Sequence, residues 1–513
     1  RESGLKEVKE FLKGSMKGKE MIVRFFCLGP KDSKFSILAL QITDSAYVAH
    51  SEDILYRKGY EQFKKMENKN DFFSFFHSAG NLDENGNSKD IDKRRIYIDL
   101  NKNQVYTVNN QYAGNSLGLK KLAMRLAIKK ASKEDWLTEH MFVMAAHGPE
   151  GRKTYFTGAF PSACGKTSTA MIPGQSIVAD DIAYIRPWDD GTCHAVNVEQ
   201  GVFGIIRDVN PDGDPIIYNT LTTPRELIFS NVLIKNDEPY WLGMGKDLPD
   251  EGYNFSGKWH KGKTDKGGKK IPPAHKNARY TVRISDLENA DEKLDDPNGV
   301  PVSGFIFGGR DSDTNVPVSK SLNWNHGVLL GASLESETTS ATLGKQGKRQ
   351  HSPMANLDFL SIPLGEYIKN YIDFGRNLEK QPEIFNVNYF LKDKKGNYLN
   401  DIPDKKVWLL WMEGVVNNDY TGIKTPIGVI PKYKDLKNLF KEVFDKEYKK
   451  EEYENQFSIR AKKLLEKFER IEDIYKDENV PEGFSKQLKE QKNRLVSKLK
   501  KRGEIIPPFE FYS

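Results

Sequence analysis

The sequence predicts an α/β protein with mixed sheets and a phosphate-binding loop domain. From His140 to Ile185 the chain alternates strand, loop, helix and strand, which is the order of α/β proteins. Within that stretch, the segment Phe160–Thr167 ends in Gly-Lys-Thr, the residues that contact phosphate and a cation in a phosphate-binding loop. A strand-like run at Ser176–Ala179 then ends in Asp180 and Asp181, where a nucleotide-type site places its metal ligands.

The composition of the chain fits an enzyme of several domains. Its 513 residues are too many for one simple core, so we expect two or three domains or subdomains. A hydrophobic fraction of 38% and a charged fraction of 29% exclude a disordered or fibrous chain. The net charge of +6 is small for this length, so it predicts no nucleic-acid partner and suits an anionic substrate. Since no run of about 18 apolar residues occurs, we expect no membrane span.

The cysteines of the chain predict a reducing compartment. Cys27, Cys164 and Cys193 are too few for a disulfide framework. No signal peptide is recognisable, so we expect a cytoplasmic protein. The chain starts at Arg1 rather than at Met, and we expect an upstream piece to be missing.

Residues 1–136 are predicted to form an N-terminal domain. Apolar runs at Met21–Cys27 and Ser36–Ile42 predict strands. The stretch Phe63–Ser88 is rich in Asn, Lys, Asp and Gly, so we expect a surface excursion there. Apolar residues at helical spacing predict a helix over Leu119–Lys130.

The phosphate-binding loop is predicted between a strand at Thr154–Phe160 and a helix opening at Thr167–Met171. Phe160 stands where the common motif has glycine, and an ordinary turn is the alternative interpretation. In the functional interpretation, backbone N–H groups curl around phosphate oxygens, Lys166 supplies a charge, and the Thr167 hydroxyl reaches a divalent cation. The predicted phosphate-binding residues are Ser162, Ala163, Cys164, Gly165, Lys166, Thr167 and Ser168.

The remainder of the chain is predicted to be a second domain followed by a tail. Apolar runs at Val302–Phe307 and Gly327–Leu330 predict further strands. From Tyr433 to Arg502 the chain is rich in lysine and glutamate, with apolar residues at helical spacing. We expect packed helices there, with their charged faces in solvent.

Two lysines and a histidine are candidate metal-binding or catalytic residues, with weaker support from the sequence than the phosphate-binding loop has. Lys120 and Lys121 follow a Gly-rich turn and would ordinarily be a solvated pair. In a buried site near a divalent cation, however, a lysine can lose its proton and coordinate through nitrogen. His140 opens an apolar run, where a lone histidine is more often a capping or core residue than a ligand. These residue types alone do not link Lys121, His140 and Asp181.

Six sequence blocks occur in one order: Tyr112–Lys121, Glu139–Met141, Phe160–Thr167, Asp180–Ala183, His275–Arg279 and Phe307–Arg310. Together they resemble the phosphoenolpyruvate carboxykinases of the GTP-type lineage, with matching spacing from about Met16 to Ile430. The resemblance implies mixed sheets and a P-loop domain, with the active site in a cleft between N- and C-terminal domains. It also implies that oxaloacetate loses CO2 to give an enolate, which takes a phosphoryl group and becomes phosphoenolpyruvate.

The resemblance also implies how the domains are used. Residues 1–136 would be a substrate-binding domain that is truncated at its start. Residues 137–432 would be the P-loop domain, with a substrate-binding subdomain at about 200–300. Residues 433–513, the charged helical tail, lie outside the confident match.

By the same likeness, two divalent cations are expected. An active-site Mn2+ would be held by Lys121, His140 and Asp181. A second cation, Mg2+ or Mn2+, would accompany the phosphoryl donor and contact Thr167, with Asp180 close by.

The remaining roles implied by the family concern anionic substrates. The implied catalytic residues are Lys120, Lys166, Cys164 and Arg279. The implied substrate-binding residues are Tyr112, Ala113, Gly114, Asn277 and Arg279, and Arg310 would bind the donor phosphates. Cys164 resembles the family's reactive loop cysteine, and we expect a helix N-terminus and Lys166 to lower its pKa. Ser336–Arg349 matches the family's mobile lid.

The guanine-binding segment of the family is altered in this sequence. Tyr389, Phe390 and Tyr398 keep its aromatic character, but Pro403 replaces the last aromatic and Lys406 replaces the base-reading asparagine. We therefore predict pyrophosphate as the phosphoryl donor and phosphate as the acceptor, as in the pyrophosphate-dependent branch of the family. The alternative is a misaligned loop that hides an intact guanine site, with GTP and GDP as the cosubstrates.

Two further alternatives belong to other functional classes. A catalytically silent phosphate-binding subunit would explain the charged tail and the absence of a family substrate-binding arginine upstream of Met16–Gly18. An unrelated P-loop kinase would leave Lys121 and His140 without a role.

Overall fold

The computed structural model describes residues 2–68, 71–111, 121–162, 164–338 and 348–512. The chain divides into two compact units. The first unit comprises Arg1–Ala127 and Val196–Gly299, and the second comprises Ile128–Ala195 and Val300–Ser513. Both units contain helices and sheets, which confirms the α/β prediction. None of the described helices combines the length and the apolar character needed to cross a membrane.

The secondary structure of the described residues is numbered in chain order. The α-helices are α1 (Glu2–Leu12), α2 (Ala46–Leu55), α3 (Tyr60–Lys65), α4 (Lys121–Ala131), α5 (Lys166–Ala170), α6 (Pro215–Thr222), α7 (Trp324–Ala332), α8 (Leu364–Arg376), α9 (Lys405–Val416), α10 (Tyr433–Phe444), α11 (Lys450–Phe457), α12 (Ala461–Tyr475) and α13 (Glu482–Arg502). The strands of the N-terminal half are β1 (Ile22–Leu28), β2 (Ile37–Thr43), β3 (Arg57–Lys58), β4 (Phe72–Ser78), β5 (Arg95–Asp99), β6 (Gln104–Val108), β7 (Leu137–Glu139), β8 (Met141–His147), β9 (Lys153–Ala159), β10 (Ser176–Ala179), β11 (Ala183–Pro187), β12 (Cys193–Asn197), β13 (Gly201–Ile205), β14 (Ile228–Ser230), β15 (Leu233–Lys235), β16 (Glu238–Tyr240), β17 (Glu251–Asn254) and β18 (Gly257–His260). The later strands are β19 (Arg279–Arg283), β20 (Val300–Gly308), β21 (Val318–Lys320), β22 (Glu335–Glu337), β23 (Arg349–His351), β24 (Glu383–Val387), β25 (Ile423–Thr425), β26 (Gly428–Ile430), β27 (Ile459–Arg460) and β28 (Ile505–Ile506).

A six-stranded sheet in the order β3-β1-β2-β4-β6-β5 forms the centre of the first unit. β1 runs antiparallel to β2, whereas β2, β4 and β6 are parallel neighbours. Along β2, buried and half-buried side chains alternate, as the two faces of a sheet require. β1 and β2 confirm the strands predicted at Met21–Cys27 and Ser36–Ile42, each displaced by one residue.

The predicted surface excursion at Phe63–Ser88 is wrong in its middle part. Residues 72–78 form β4, which lies between β2 and β6 in the sheet. Phe73 and Phe75 are each only 1% exposed there. The polar residues on either side dominate the composition of the stretch and obscure a strand of seven residues.

Two smaller sheets of the first unit lie within residues 201–283. One has the order β13-β19-β14 and the other the order β16-β15-β17-β18. The register of β13 and β19 pairs Ile205 with Arg279. Arg279, a predicted substrate-binding residue, is therefore the first residue of a strand that is paired on both sides.

An eleven-stranded sheet runs through the described part of the second unit. Its centre is parallel, because β20 pairs in parallel with β9 and with β24. Antiparallel strands continue the sheet, with β8 and β10 beyond β9 and with β21, β26 and β25 beyond β24. The central strands β9 and β20 are buried along most of their length, as strands covered on both faces are. They confirm the strands predicted at Thr154–Phe160 and Val302–Phe307.

The strand predicted at Gly327–Leu330 is wrong, because these residues lie inside α7. Asn323 begins this helix by accepting a hydrogen bond from the backbone N–H of His326 at 2.9 Å. All residues of α7 except Asn325 are buried. The helix therefore has no broad polar face, and a short apolar run without a polar face is equally compatible with a strand.

The tail helices belong to the second unit and pack against its core. The backbone N–H of Leu322 donates to Nδ1 of His326 at 3.0 Å, so the proton of the neutral ring is on Nε2. Nε2 then donates to Oε1 of the buried Gln491, on α13, at 2.8 Å. Tyr475, at the end of α12, donates its hydroxyl to the carbonyl of Ala332 at 2.8 Å. The tail thus supplies polar partners to α7 as well as a charged surface.

Replacing His326 with glutamine is expected to reduce the acid sensitivity of the second unit. Burial lowers the pKa of His326 from 6.5 to about 4. Below pH 6.5 the unfolded chain therefore takes up a proton that the folded chain refuses, and the free energy of unfolding falls as the pH drops toward 4. The variant should lack this loss, which amounts to about 1.4 kcal/mol per pH unit. Urea titrations across this pH window measure the difference in slope.

The control for this experiment is His260→Gln, which replaces an exposed histidine. It should keep the wild-type dependence on pH. An unchanged slope in His326→Gln would contradict a buried, neutral imidazole at this position.

Candidate active site

The phosphate-binding loop connects β9 to α5, so the strand and the helix predicted on either side of it are both observed. Gly165 has φ +103°, a conformation that residues with a side chain rarely adopt. A Cβ atom at this position would also lie 3.1 Å from the Tyr389 ring. Ser162 is exposed at the turn, and Ala163 lies outside the described residues.

Phe160, which stands where the common motif has glycine, is a packing residue. Its buried ring stacks between Phe142 and Tyr389, with ring centroids 5.9 and 6.1 Å away. Gly308 on β20 leaves space for the ring, because any side chain there would collide with it. The aromatic ring therefore anchors the point at which the loop leaves the sheet.

Three predicted site residues meet beside the loop. Nε2 of His140 lies 2.9 Å from Oδ1 of Asp181 and 3.0 Å from Nζ of Lys166. Nζ of Lys166 also donates to Oδ1 of Asp181. β8 and β10 are antiparallel neighbours with Val143 opposite Ala179, so the strand ends bring His140 and Asp181 together. Both side chains are largely buried, at 8% and 7% exposure.

The second predicted cation position is also assembled in the second unit. Oγ1 of Thr167 donates to Oδ1 of Asp180 at 3.4 Å. Oγ of Ser168 donates to the carbonyl of Gly165 at 3.2 Å, which stabilises the first turn of α5. A hydroxyl and a carboxylate therefore lie side by side at the start of this helix.

The donor atoms of this cluster fit a divalent cation. Imidazole nitrogen and carboxylate oxygen both suit Mn2+, and here they converge on a point that the ammonium group of Lys166 can reach. Among the described residues, no group of three or more His, Cys, Asp or Glu side chains is arranged so that it could hold a metal ion. A third protein ligand would therefore be of another type. Lys121, the predicted one, is the first residue of α4 and is half-buried.

Behind His140 lies a buried polar cluster that the sequence analysis missed. Oε2 of Glu139 accepts hydrogen bonds from the Tyr367 hydroxyl at 2.6 Å and from Nδ2 of Asn356 at 3.1 Å. Burial raises the pKa of Glu139 to about 8, so this carboxyl is largely protonated at neutral pH. On the same side, Nδ1 of His140 lies 3.3 Å from the carbonyl oxygen of Ala355. A glutamate next to the apolar run at residues 141–146 was the available sequence signal.

The expectation of a lowered pKa for Cys164 is wrong. Its side chain is buried, with Sγ 2.9 Å from Oγ of Ser336. Burial raises the pKa of the thiol, although the Ser336 hydroxyl and the charge of Arg310 act in the opposite direction. The free-energy cost of burying a thiolate exceeds the stabilisation that these neighbours provide.

Arg310 is held against an aromatic ring. The carbon at the centre of its guanidinium lies 3.7 Å from the centroid of the Phe390 ring, in a cation–π contact. Its carbonyl accepts the backbone N–H of Glu337 at 2.9 Å. The carboxylate of Glu337 in turn accepts the N–H of Ser312 at 3.1 Å. The chain on both sides of Arg310 is thus fixed to β22.

The predicted lid, Ser336–Arg349, is described at its two ends, and residues 339–347 lie outside the described residues. β22 and β23 pair with each other at these ends. Arg349 donates to Oδ1 of Asp311 at 3.2 Å and also pairs with Asp313. Lys463, on α12, lies 3.3 Å from the same Asp313. This charge network was not predicted from the sequence.

The predicted substrate-binding residues of the first unit form a small cluster of their own. Nε of Arg279 donates to Oδ1 of Asn277 at 3.1 Å. The guanidinium of Arg279 lies 5.2 Å from the centroid of the Phe203 ring. Four other predicted residues lie outside the described part of the chain, namely Tyr112, Ala113, Gly114 and Lys120.

Comparison with known proteins supplies the family. The chain matches the model of the phosphoenolpyruvate carboxykinase N-terminal domain at residues 1–132 and that of the C-terminal P-loop domain at residues 136–494. The chain belongs to the phosphoenolpyruvate carboxykinase family. This confirms the family prediction and the two-domain fold class, whereas the boundaries predicted at residues 136 and 432 stay predictions.

Similar members of this carboxykinase family come from archaea and bacteria. Phosphoenolpyruvate carboxykinase (GTP) of Thermococcus kodakarensis is 59% identical over 512 residues, which cover 99% of this chain and 82% of that protein. The protein of the same name from Saccharolobus solfataricus is 50% identical over 512 residues, 99% of this chain and 81% of its own. That from Chlamydia abortus is 37% identical over 443 residues, 83% of this chain and 72% of its own.

These names contradict the prediction of pyrophosphate as the phosphoryl donor, since all three carboxykinases are named for GTP. The prediction gave too much weight to Pro403 and Lys406. Pro403 lies exposed in a short 3-10 turn, and Lys406 is half-buried at the start of α9. Two of the retained aromatic residues contact the phosphate-binding loop or a predicted phosphate-binding residue, since Tyr389 stacks on Phe160 and Phe390 lies against Arg310.

Alkylation of Cys164 is expected to be slow at neutral pH. Its pKa is raised above the usual 9.0, so little thiolate is present to react. The rate of carbamidomethylation by iodoacetamide should still be rising at about pH 9. Timed quenching and peptide mass spectrometry measure the rate, and Cys164→Ser identifies the peptide. A rate that reaches its plateau below about pH 8 would show that the thiol is activated.

Proposed function

We propose that this chain is a GTP-dependent phosphoenolpyruvate carboxykinase, which decarboxylates oxaloacetate and phosphorylates the resulting enolate to phosphoenolpyruvate. In the reverse direction the reaction fixes CO2. The observation that carries the proposal is the convergence of His140, Asp181 and Lys166 beside a phosphate-binding loop. This convergence occurs in a chain that resembles such carboxykinases over 99% of its length.

Cations are the main chemical requirement of this reaction. The enolate and the transferring phosphoryl group are both anionic, so catalysis rests on positioning and electrostatic stabilisation. Lys166 and Arg310 are the proposed cations for the donor phosphates. The stacking of Arg310 on Phe390 supports this role, because it fixes the guanidinium before the nucleotide binds.

The proposed substrate side uses the pair Arg279 and Asn277. A guanidinium fork matches a carboxylate in a bidentate manner, and the hydrogen bond that Nε of Arg279 donates to Oδ1 of Asn277 orients the fork. We assign Lys120, Tyr112, Ala113 and Gly114 to the same substrate from the family resemblance.

His140, Asp181 and Lys121 would hold Mn2+. When bound, this cation supplies positive charge that stabilises the enolate. To bind a cation through nitrogen, His140 must be neutral and Lys121 deprotonated. Thr167 and Asp180 would hold a second cation, Mg2+ or Mn2+, together with the nucleotide phosphates.

We propose GTP as the phosphoryl donor for two reasons. The relatives are named as GTP-dependent carboxykinases, and aromatic residues of the predicted guanine-binding segment are retained. Phe390 and Tyr398 lie in an edge-to-face contact with ring centroids 6.3 Å apart. Tyr398 is 52% exposed, and Nζ of Lys392 lies 4.7 Å from the centroid of its ring. An exposed aromatic ring can contact a nucleobase, whereas it would serve no purpose for pyrophosphate.

The purified protein is expected to form oxaloacetate from phosphoenolpyruvate and CO2 when GDP is supplied, and not when phosphate replaces GDP. The physical reason is that a donor site with retained aromatic rings gains binding energy from the base. Malate dehydrogenase and NADH report the oxaloacetate. Turnover with phosphate but not with GDP would overturn the GTP proposal while leaving the carboxykinase reaction intact.

Replacing Asp181 with asparagine is expected to weaken Mn2+ binding by at least about tenfold, because removal of a charged ligand should cost no less than removal of its supporting partners. Electron paramagnetic resonance of free Mn2+ measures the dissociation constant. Asp189→Asn, a change of an exposed carboxylate, is the control and should bind as the wild type does. Equal Mn2+ affinity in the two variants would exclude Asp181 as a metal ligand.

A further inference from the structure

The position of the His140 ring depends on both of its nitrogens. Nδ1 lies 3.3 Å from the carbonyl oxygen of Ala355, whereas Nε2 lies 2.9 Å from Asp181 and 3.0 Å from Lys166. The Asp181 carboxylate alone would favour a proton on Nε2. The Ala355 carbonyl can only accept a hydrogen bond and the Lys166 ammonium can only donate one, so both favour the tautomer with the proton on Nδ1. That tautomer leaves the lone pair on Nε2, the nitrogen that faces the proposed cation.

The turn that carries this carbonyl is strained. Met354 has φ +47° and Ala355 has φ +53°, although neither is glycine. Such left-handed conformations cost free energy and persist only where the surrounding structure imposes them. From the same turn, the Phe359 ring packs edge-on against the His140 ring, with the centroids 4.9 Å apart.

Asn356 ties this turn to the chain beside His140. It is wholly buried, and its Nδ2 donates to Oε2 of Glu139 at 3.1 Å and to the Tyr367 hydroxyl at 3.0 Å. The Tyr367 hydroxyl donates to the same Glu139 oxygen at 2.6 Å. Because Glu139 immediately precedes His140, this triangle of hydrogen bonds fixes the carbonyl and the imidazole relative to each other.

We propose that Asn356 and Tyr367 are positioning residues for His140. They hold the turn at Pro353–Phe359 so that the Ala355 carbonyl orients the imidazole, with its Nε2 lone pair toward the cation. Neither residue touches the reacting atoms, and their effect passes entirely through His140. The inference rests on the proposed function, because it assumes that His140 is a metal ligand.

The test compares Mn2+ binding by the wild type and four variants of the full chain. Tyr367→Phe keeps every ring contact and removes the hydroxyl, and Asn356→Asp removes the donor. Tyr453→Phe is the matched control, since it removes another buried hydroxyl that donates to one carbonyl, that of Pro431 at 2.8 Å. His140→Ala gives the affinity without the imidazole.

We expect Tyr367→Phe and Asn356→Asp to weaken Mn2+ binding by about tenfold, as loss of a supporting partner does at other metal sites. Tyr453→Phe should keep the wild-type affinity even if its Tm falls by the same amount. Turnover by Tyr367→Phe should return to within about twofold of the wild type at saturating Mn2+. General destabilisation would produce no such rescue.

Two outcomes separate the inference from the function beneath it. If His140→Ala binds Mn2+ as tightly as the wild type, the metal role of His140 is wrong and the inference falls with it. If His140→Ala binds weakly while Tyr367→Phe binds like Tyr453→Phe, the metal role stands and the positioning role is overturned. Should Asn356→Asp fail to fold, the comparison of the two tyrosine variants decides alone.

Discussion

A buried negative charge that needs a positive partner organises the whole site. Asp181 is 7% exposed, and an unpaired carboxylate at that depth would cost several kcal/mol. Lys166 satisfies it directly, and a divalent cation would satisfy it in the proposed enzyme. The pairing of β8 with β10 brings the carboxylate to His140, and the loop after β9 returns Lys166 to both. The phosphate-binding loop therefore depends on this charge as much as on its own sequence.

Local sequence identified the parts of this arrangement that depend on short motifs. The loop, its flanking elements and the strand before Asp181 follow from residue type and spacing, whereas only the family resemblance linked His140 to Asp181. Predictions from the sequence were wrong where burial in the folded protein decides the secondary structure or the pKa. α7 is buried on nearly every side, so its sequence lacks a helical period, and β4 is hidden between polar neighbours. The predicted pKa shift of Cys164 was wrong for the same reason, because its thiol is buried beside Ser336, which lies far along the chain.

The phosphoryl donor shows how little a substitution says without its surroundings. Pro403 and Lys406 differ from the family pattern, but Pro403 is exposed and Lys406 lies at the start of a helix. Phe390 also has a structural role, since its ring packs against the guanidinium of Arg310. The contact with Arg310 explains the retention of Phe390 whichever donor binds. The finding that bears on the donor is therefore the name shared by the relatives, which is that of GTP-dependent carboxykinases.

Charged residues of the tail also need oppositely charged partners, as Asp181 does in the site. Its composition predicted charged faces in solvent, and many of its charges are exposed, yet α12 also buries one lysine and pairs two exposed cations with carboxylates. Lys463 contacts Asp313, and Arg470 pairs with Glu335 at 2.9 Å, next to the strands that flank Arg310. Lys467 is only 3% exposed, and burial lowers its pKa while the charge of Glu335 opposes the shift. A lysine is stable at that depth only near carboxylates, so α12 and the Arg310 loop require each other's charges.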